Sequence, residues 1–394
     1  LLERCFAAER LDGLFETQAR EQYTRHLLFS TLCDLLLSVV LRVHPSPHAA
    51  YQDRRNEMNV STVALYDKLA GVEPRVVAAL VRETARDLSG ILDALNVPRT
   101  PWLPGYPVRI LDGNCLAASH KRLDVHEGLA AAALPGKSLV VLDPERQLMV
   151  DVVPCEDGHA QERSLVERVL PSVQAGEVWI ADRNFCTRGV LQGLRERQAH
   201  AVVRLHAGLP FTERAPFLPV EGGDPGQHLF EQGIEVDGHP YRRIRVELPA
   251  PTRDGDAHLD VVTDLPDTVA AATVAGLYRK RWTLETAFQH LERHFASEID
   301  TLAYPRAALF GFGLALVAYN AFSVMRAALD SAQGEPVSQD LSSYYIAHQI
   351  SATFAALLLL SEATDWDFVA TCSPVQFADW LREVARNVRL GSLK

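Results

Sequence analysis

Apolar residues follow two different spacings along the chain, and the change between them divides it into regions. Before residue 96 they recur at three- and four-residue intervals, as in the segment YTRHLLFSTLCDLLLSVVLRV, which predicts helices. Between residues 108 and 206, short runs rich in β-branched residues alternate with turn-forming residues, which predicts strands. Helical spacing returns from about residue 268. The pattern therefore predicts an α/β protein with helical regions at both ends.

The middle of the chain reads as a sheet interleaved with helices. Five segments have the composition of strands: 108–113, 138–143, 148–154, 177–182 and 200–206. Helical spacing at 160–173 and 188–198 separates the last three of them. Three strands followed by this alternation predict a mixed α/β sheet. Four prolines mark residues 96–107 as a linker, and glycine, proline and alternating strand patterns mark 207–267 as a β-rich insertion.

Two predicted helices near the N-terminus are joined by a short turn. Ser61 is placed to cap the first, Gly71 interrupts the pattern, and Pro74 is placed to begin the second. A pair of this kind is typical of a helix-turn-helix DNA reader, and equally of an ordinary helical hairpin.

One stretch, residues 307–325, is uncharged over its whole length and is long enough to span a membrane. Glycine, asparagine and serine interrupt it, and no comparable second segment exists in the sequence. We therefore expect a buried helix, and no membrane as a partner.

Charge and cysteine content narrow the class of protein. The chain of 394 residues has 39 Lys and Arg against 50 Asp and Glu, a net charge of −11. This balance argues against a protein that coats nucleic acid non-specifically, but it leaves room for a local basic groove. The six cysteines form no C-x-x-C pair, so we expect reduced thiols and a cytoplasmic protein.

Two aspartates stand where predicted strands end. Asp112 is followed by Gly113, and Asp182 ends the segment WIAD. A carboxylate at the end of a buried strand is rigidly held yet reachable, which suits metal binding or acid–base chemistry. Taken singly, each is better explained as a capping or turn aspartate, which is common at strand ends.

The segment YRKRWTLETAFQHLERHF, residues 278–295, supplies further acidic candidates. On one continuous helix, Tyr278, Arg281, Glu285 and Glu292 fall within an arc of about 60° beside an apolar stripe. The alternative is an Arg281–Glu285 pair four residues apart on a solvated face. Carboxylates from two strand ends and one helix would suit two Mg²⁺ ions in phosphodiester cleavage, but spacing alone does not bring them together.

Three segments, LDGNCL, WIADRNFCT and YRKRWTLETAF, resemble the DDE transposases of bacterial insertion sequences, in the group called the fourth insertion-sequence family. The signature of that group is Tyr-x2-Arg-x3-Glu-x6-Lys, and it is matched by Tyr278, Arg281 and Glu285, with Glu292 in place of the lysine. The resemblance implies an RNase H-like core in which Asp112, Asp182 and Glu285 bind two Mg²⁺ ions, with Mn²⁺ able to substitute. It also implies a β-rich insertion between the last core strand and the glutamate helix.

The resemblance further implies an enzyme that cuts double-stranded DNA at terminal inverted repeats, commonly through hairpinned ends, and joins the 3′ ends to target DNA as a homodimer. Tyr278 and Arg281 would contact phosphates, and Trp282 would either stack on a displaced base or pack in the core. Other basic residues are candidate backbone contacts, or simply exposed side chains: Lys121, Arg122, Arg183, Arg204, Arg279 and Lys280.

The implied layout is a helical DNA-binding region (1–95), the linker, a catalytic core (108–206 and 268–300) around the insertion, and a helical region open to dimerisation (301–394). Glu292 is a departure from the family signature, which has a lysine at this position. The departure matters because a carboxylate repels phosphate where the lysine would attract it. Arg293, the next residue of the helix, would substitute for the family lysine only in part, because its direction on the helix is less favourable. Three hypotheses follow: an active transposase, an RNase H-like nuclease without strand transfer, or a DNA-binding remnant.

Overall fold

The computed structural model describes residues 1–22, 27–56, 58–116, 136–222, 228–251, 255–299, 301–302, 304–334, 336–360 and 366–394. The side chains of residues 357–360, 367 and 370 are not described. Lys121 and Arg122, two of the candidate DNA contacts, lie outside the described residues.

The strands of the described ranges form one mixed sheet. They are Val108–Cys115 (β1), Lys137–Asp143 (β2), Leu148–Cys155 (β3), Val178–Ala181 (β4), His200–Arg204 (β5), Thr212–Glu213 (β6), Leu218–Val220 (β7), Leu229–Val236 (β8), His239–Glu247 (β9) and His258–Thr263 (β10). Their order is β3-β2-β1-β4-β5-β10-β9-β8-β6, and β7 also pairs with β8. β1, β4 and β5 are parallel, β2 runs antiparallel to β1, and β3 runs antiparallel to β2 and therefore in the direction of β1. The predicted mixed α/β sheet is therefore confirmed.

The strands after residue 207 continue this sheet. β10 pairs antiparallel with β5, with Val262 opposite Val203, and β9 and β8 follow outward. These strands therefore share hydrogen bonds with the central sheet and are not a detached module.

The helices of the described ranges are Leu2–Phe6 (α1), Ala8–Gln18 (α2), Phe29–Val40 (α3), Pro47–Asp53 (α4), Thr62–Gly71 (α5), Pro74–Leu95 (α6), Glu162–Leu165 (α7), Arg188–Glu196 (α8), Ala271–Arg279 (α9), Trp282–His294 (α10), Pro305–Gln333 (α11), Ser343–Leu360 (α12), Asp367–Thr371 (α13) and Pro374–Arg386 (α14). The helix predicted at 160–173 is wrong in length, because only the four residues of α7 are α-helical and 3₁₀ turns follow. Pro171 has no N–H to continue an α-helix there.

Each face of the sheet is buried by a different set of helices. Alternate residues of β1 enter different cores: Ile110 joins the core that contains α6, α9, α10 and α11, and Leu111 joins the core beneath α8. This alternation fixes which way each polar residue of β1 points.

The uncharged stretch at 307–325 lies within α11, which is long and apolar enough to cross a membrane by length and composition. Its most apolar window is 94% buried inside the protein, so it is a core helix, as expected. Asn320 of α11 is fully buried and accepts a hydrogen bond from the N–H of Met149 at 2.7 Å. Its amide donates to the carbonyl of Met149 at 2.9 Å, so both backbone groups of this β3 residue are satisfied.

The N-terminal hairpin has the caps that the sequence indicates. The Ser61 side chain accepts a hydrogen bond from Ala64 N–H at the start of α5, and Pro74 is the first residue of α6. Most of α6 is buried against β3 and α11. A helix used in this way has little surface left to enter a DNA groove, which favours the ordinary hairpin for this pair.

Candidate active site

Asp112 lies inside β1 and does not end it, because the strand continues to Cys115 with Asp112 opposite Val140. The expectation of a strand-end position is therefore wrong for this residue. The backbone N–H of Gly113 donates to one carboxylate oxygen of Asp112 at 2.9 Å. Burial raises the pKa of Asp112 to about 6, partly offset by Arg281 and by that N–H, while Glu285 and Asp182 raise it further. This carboxyl group is therefore poorly satisfied in its anionic form.

Arg281 joins the aspartate on the sheet to the glutamate on the helix. Its guanidinium donates to Asp112 at 2.7 Å and to Glu285 at 2.7 Å, and the arginine side chain is only 10% exposed. The pairing four residues apart expected from the sequence is present, but Asp112 is a second partner that spacing did not indicate.

The expected continuous helix is wrong, because α9 ends at Arg279 and α10 begins at Trp282. Backbone N–H groups at the junction bond three residues back, including Arg281 to Tyr278 and Leu284 to Arg281. The backbone is wound more tightly at this junction than in an α-helix, so residues there do not turn by about 100° each. The arc of about 60° expected for Tyr278, Arg281, Glu285 and Glu292 therefore does not apply.

Asp182 follows β4 directly, as expected for a strand-end aspartate. The hydroxyl of Tyr278, the last but one residue of α9, lies 3.4 Å from its carboxylate. Burial, assisted by Asp182, raises the pKa of Tyr278 to about 12, so the phenol keeps its proton and donates. Tyr278, Asp182, Arg281, Asp112 and Glu285 therefore form one connected polar group, which we call the acid cluster.

The acid cluster contains three carboxylates and one guanidinium. Carboxylate oxygens are the ligands that Mg²⁺ prefers, so the donor chemistry fits such an ion. In the part of the chain that the structure describes, no three carboxylate, imidazole or thiol groups converge closely enough to hold a metal together. Arg281 stands between Asp112 and Glu285, so a cation would share these carboxylates with the guanidinium.

The predicted DNA contacts have different surroundings. Trp282 is 63% exposed beneath the guanidinium of Arg281, at 5.4 Å from its ring centroid, so the core-packing alternative is wrong. The Lys280 ammonium lies 4.7 Å from the ring centroid of Trp102 in the proline-rich linker segment. Arg279 is exposed and Arg183 is half-buried. These cations and the exposed indole lie near the acid cluster in sequence.

Glu292 is exposed on the last turns of α10. The sequence did not indicate that Arg42, which follows α3, donates to the carbonyls of Glu292 and Phe295 at 2.8 and 3.2 Å. A cation from a distant segment therefore lies at the C-terminal end of α10, where it also complements the helix dipole.

Glu162 is another residue that the sequence did not single out. A Cβ added to Gly113 would lie 2.4 Å from the Glu162 carboxylate, so the Glu162 side chain packs directly over the glycine that follows Asp112. The glycine next to Asp112 could have indicated such a neighbour, since glycine in a strand often marks a close approach by another group.

Comparison with known families matches residues 104–321 to the transposase DDE domain. This range is more than half of the 394 residues and includes the whole acid cluster. The chain belongs to this family. A DDE transposase domain is consistent with the mixed sheet and flanking helices described above, and it makes DNA the partner and strand cleavage the general class of reaction. Comparison with curated proteins gives no match.

Proposed function

We propose that the protein cleaves DNA at the ends of a mobile element and joins the freed 3′ ends to target DNA. The observation that carries the proposal is the acid cluster, where carboxylates from β1, from the end of β4 and from α10 surround one guanidinium. The excess of negative charge over this arginine suits divalent cations, and the family is one of transposases.

In this proposal Asp112, Asp182 and Glu285 are the catalytic residues and hold two Mg²⁺ ions, or Mn²⁺ in their place. When bound, such ions would activate a water or 3′-hydroxyl and stabilise the departing oxygen. Arg281 orients Asp112 and Glu285 through its planar fork. The Gly113 N–H and the Tyr278 hydroxyl hold the aspartates in fixed directions.

The substrate strand is proposed to cross the face that carries Trp282. An indole that is 63% exposed offers a stacking platform for an unpaired base. Arg183, Arg279, Lys280, Lys121 and Arg122 are proposed phosphate contacts.

Finer features rest on the resemblance to the Tyr-Arg-Glu-Lys group of bacterial insertion sequences. They are recognition of terminal inverted repeats, a homodimer on paired ends, action in the cytoplasm on nucleoid DNA, and the layout with the N-terminal DNA-binding region (1–95), the insertion (207–267) and the C-terminal dimerisation region (301–394). Tyr278, Arg281 and Glu285 support this placement by their joint contacts in the acid cluster.

The test uses the inverted repeats that flank the gene in its own genome. A linear duplex carrying them is incubated with the purified full chain, Mg²⁺ and a target plasmid. We expect nicks at the repeat ends and joined products with the wild type, and neither with Asp182→Ala. Asp379→Ala removes a 65%-exposed carboxylate of α14 and serves as the control, which we expect to be active. Cleavage by Asp182→Ala at the wild-type rate would contradict the assignment.

A second candidate is a DNA-binding remnant that has lost catalysis. Glu292 favours it, because this carboxylate stands where the family lysine would neutralise phosphate. Tight binding of the repeats without nicking would support the remnant, and cleavage without joined products would support a nuclease.

A further inference from the structure

A polar cavity of about 420 Å³ opens on the opposite face of the sheet from α10. Its walls come from the start of β2, the segment around α7, the turn after β4 and the residues after β5. The lining residues include Lys137, Glu162, Arg163, Asn184, Thr187 and His206. We call it the β2–α8 cavity.

The β2–α8 cavity adjoins the acid cluster across one strand. Glu162, one of its lining residues, lies against Gly113, which follows Asp112. Asn184 and Cys186, also in its wall, follow Asp182 by two and four residues. Because neighbouring residues of a strand point to opposite faces, the cavity and the acid cluster open on the two faces of the sheet near the C-terminal end of β1.

Positively charged and hydrogen-bond-donating groups dominate the cavity wall. Lys137 uses one ammonium hydrogen on the Ala160 carbonyl at 2.7 Å, and an ammonium has three. The Nδ1 atom of His206 accepts the N–H of Gly208 at 2.9 Å, so its Nε2 carries the hydrogen and acts as a donor. Against Lys137 and Arg163 the lining set contains one carboxylate, Glu162.

A helix end adds to these donors. Thr187 caps α8, a helix of nine residues, and lines the cavity. The first N–H groups of a helix lack intrahelical acceptors and attract anions. Two cations, an imidazole N–H and this helix end make the site suited to an anion with several acceptor oxygens, such as a phosphate.

We propose that the β2–α8 cavity binds a backbone phosphate of the DNA strand that leaves the acid cluster. This inference rests on the proposed function, and it gives the DNA strand a path past the C-terminal end of β1, with α10 on one face of the sheet and the cavity on the other. Lys137 and His206 are the binding residues that the geometry assigns.

The test is DNA binding by the full chain without divalent cations, so that cleavage does not contribute. A duplex of about 30 base pairs is titrated at several salt concentrations with the wild type, Lys137→Gln and Lys137→Arg. Because each neutralised phosphate adds a slope of about 0.9 to the salt dependence, Lys137→Gln should lower the slope by about 1 and the affinity at 0.1 M salt about tenfold. Lys137→Arg keeps the charge and should bind nearly as well as the wild type.

Arg386→Gln is the charge-matched control, since Arg386 is an exposed residue of α14 paired with Glu383. Thermal unfolding of each variant checks that the fold is kept, and His206→Gln provides a second variant with an expected loss of severalfold. Equal affinity and slope for wild type, Lys137→Gln and His206→Gln would overturn the cavity assignment while leaving the proposed function intact. Absence of DNA binding by the wild type would overturn both.

Discussion

Arg281 donates a 2.7 Å hydrogen bond to Asp112, which is 169 residues away in the sequence. The same guanidinium binds Glu285 four residues along its own segment. One side chain therefore connects the sheet to the helix and balances a group of carboxylates in which Glu285 and Asp182 both act to raise the pKa of Asp112. The fold brings these like charges together at a cost, which is characteristic of functional sites.

Replacing Arg281 should destabilise the protein, because the carboxylates of the acid cluster would then repel one another without a balancing cation. Arg281→Gln leaves half-buried Asp112 and Glu285 without their shared cation, and breaking a buried pair costs on the order of 3 kcal/mol. We expect a lower unfolding temperature, and we expect added Mg²⁺ to raise that temperature more in the variant than in the wild type. Differential scanning calorimetry with and without Mg²⁺ measures both effects.

Arg386→Gln gives the comparison for Arg281→Gln, because it removes an exposed ion pair worth at most about 1 kcal/mol. Equal unfolding temperatures for Arg281→Gln and Arg386→Gln would show that Arg281 does not counterbalance the carboxylates.

Asn320 should be important for attaching the edge strand β3 to α11. Asn320→Leu removes the partners of both backbone groups of Met149, and each buried group left without a partner costs about 1–3 kcal/mol. We expect a loss of about 2–4 kcal/mol in the free energy of unfolding, measured by urea denaturation. Ser323→Ala, one turn along the same helix, removes only a hydroxyl bonded to the Tyr319 carbonyl and should change little. A neutral effect of Asn320→Leu would mean that water or a shift of β3 satisfies these groups.

The ion pairs of Asp260, in β10, lead us to expect that the free energy of unfolding depends on pH. Burial alone would raise the pKa of Asp260, but hydrogen bonds from Arg245 at 2.7 Å and Arg243 at 2.8 Å outweigh it. The net pKa is below the ordinary value of 3.8, so the ionised form stabilises the fold. This contribution is complete above the ordinary pKa and disappears as the pH falls through the lower folded-state pKa.

The corresponding variant is Asp260→Asn, which should lower the free energy of unfolding by about 3 kcal/mol at pH 7. The difference from wild type should shrink below about pH 4, because Asp260 of the unfolded wild-type chain binds a proton there and the folded carboxylate does so at still lower pH. Urea denaturation at pH 7, 5 and 3 measures this, with exposed Asp379→Asn as the control. A difference that stays constant down to pH 3 would show that the charge of Asp260 does not stabilise the sheet.

The sequence predicted strands and helices well where local spacing decides them. β4 and Asp182 were placed correctly because a short β-branched run followed by a polar turn is a local signal. The interruption at Lys280 and Arg281 was missed because no glycine or proline marks it. Arg281 contacts Asp112 of β1 at this interruption, and local spacing does not record such a tertiary contact.

Contacts between distant segments were beyond any single-sequence pattern. Glu162 against Gly113 and Arg42 against the end of α10 depend on how separate elements pack, which spacing does not record. β1 is longer than the strand that the sequence predicts at 108–113, because pairing with β2 extends it through Asp112 to Cys115. Strand ends depend on the partner strand as well as on local preference.

Glu292 provides the test that separates active transposase from remnant. Glu292→Lys restores the family cation at an exposed position of α10 and changes the local charge by two. We expect tighter DNA binding with a steeper salt dependence, by about 1 in slope, because a lysine there can neutralise a phosphate. Cleavage of the inverted-repeat duplex should increase as well.

The control is Gln289→Lys, which adds a lysine, and a charge change of one in place of two, at another exposed position of the same helix. If both substitutions strengthen binding equally, the effect is general charge and position 292 has no special role. If Glu292→Lys lowers cleavage while Gln289→Lys does not, the carboxylate of Glu292 has a structural partner of its own in the DNA complex. A gain specific to Glu292→Lys would show that the phosphate path of the family runs past this end of α10, beside Arg42.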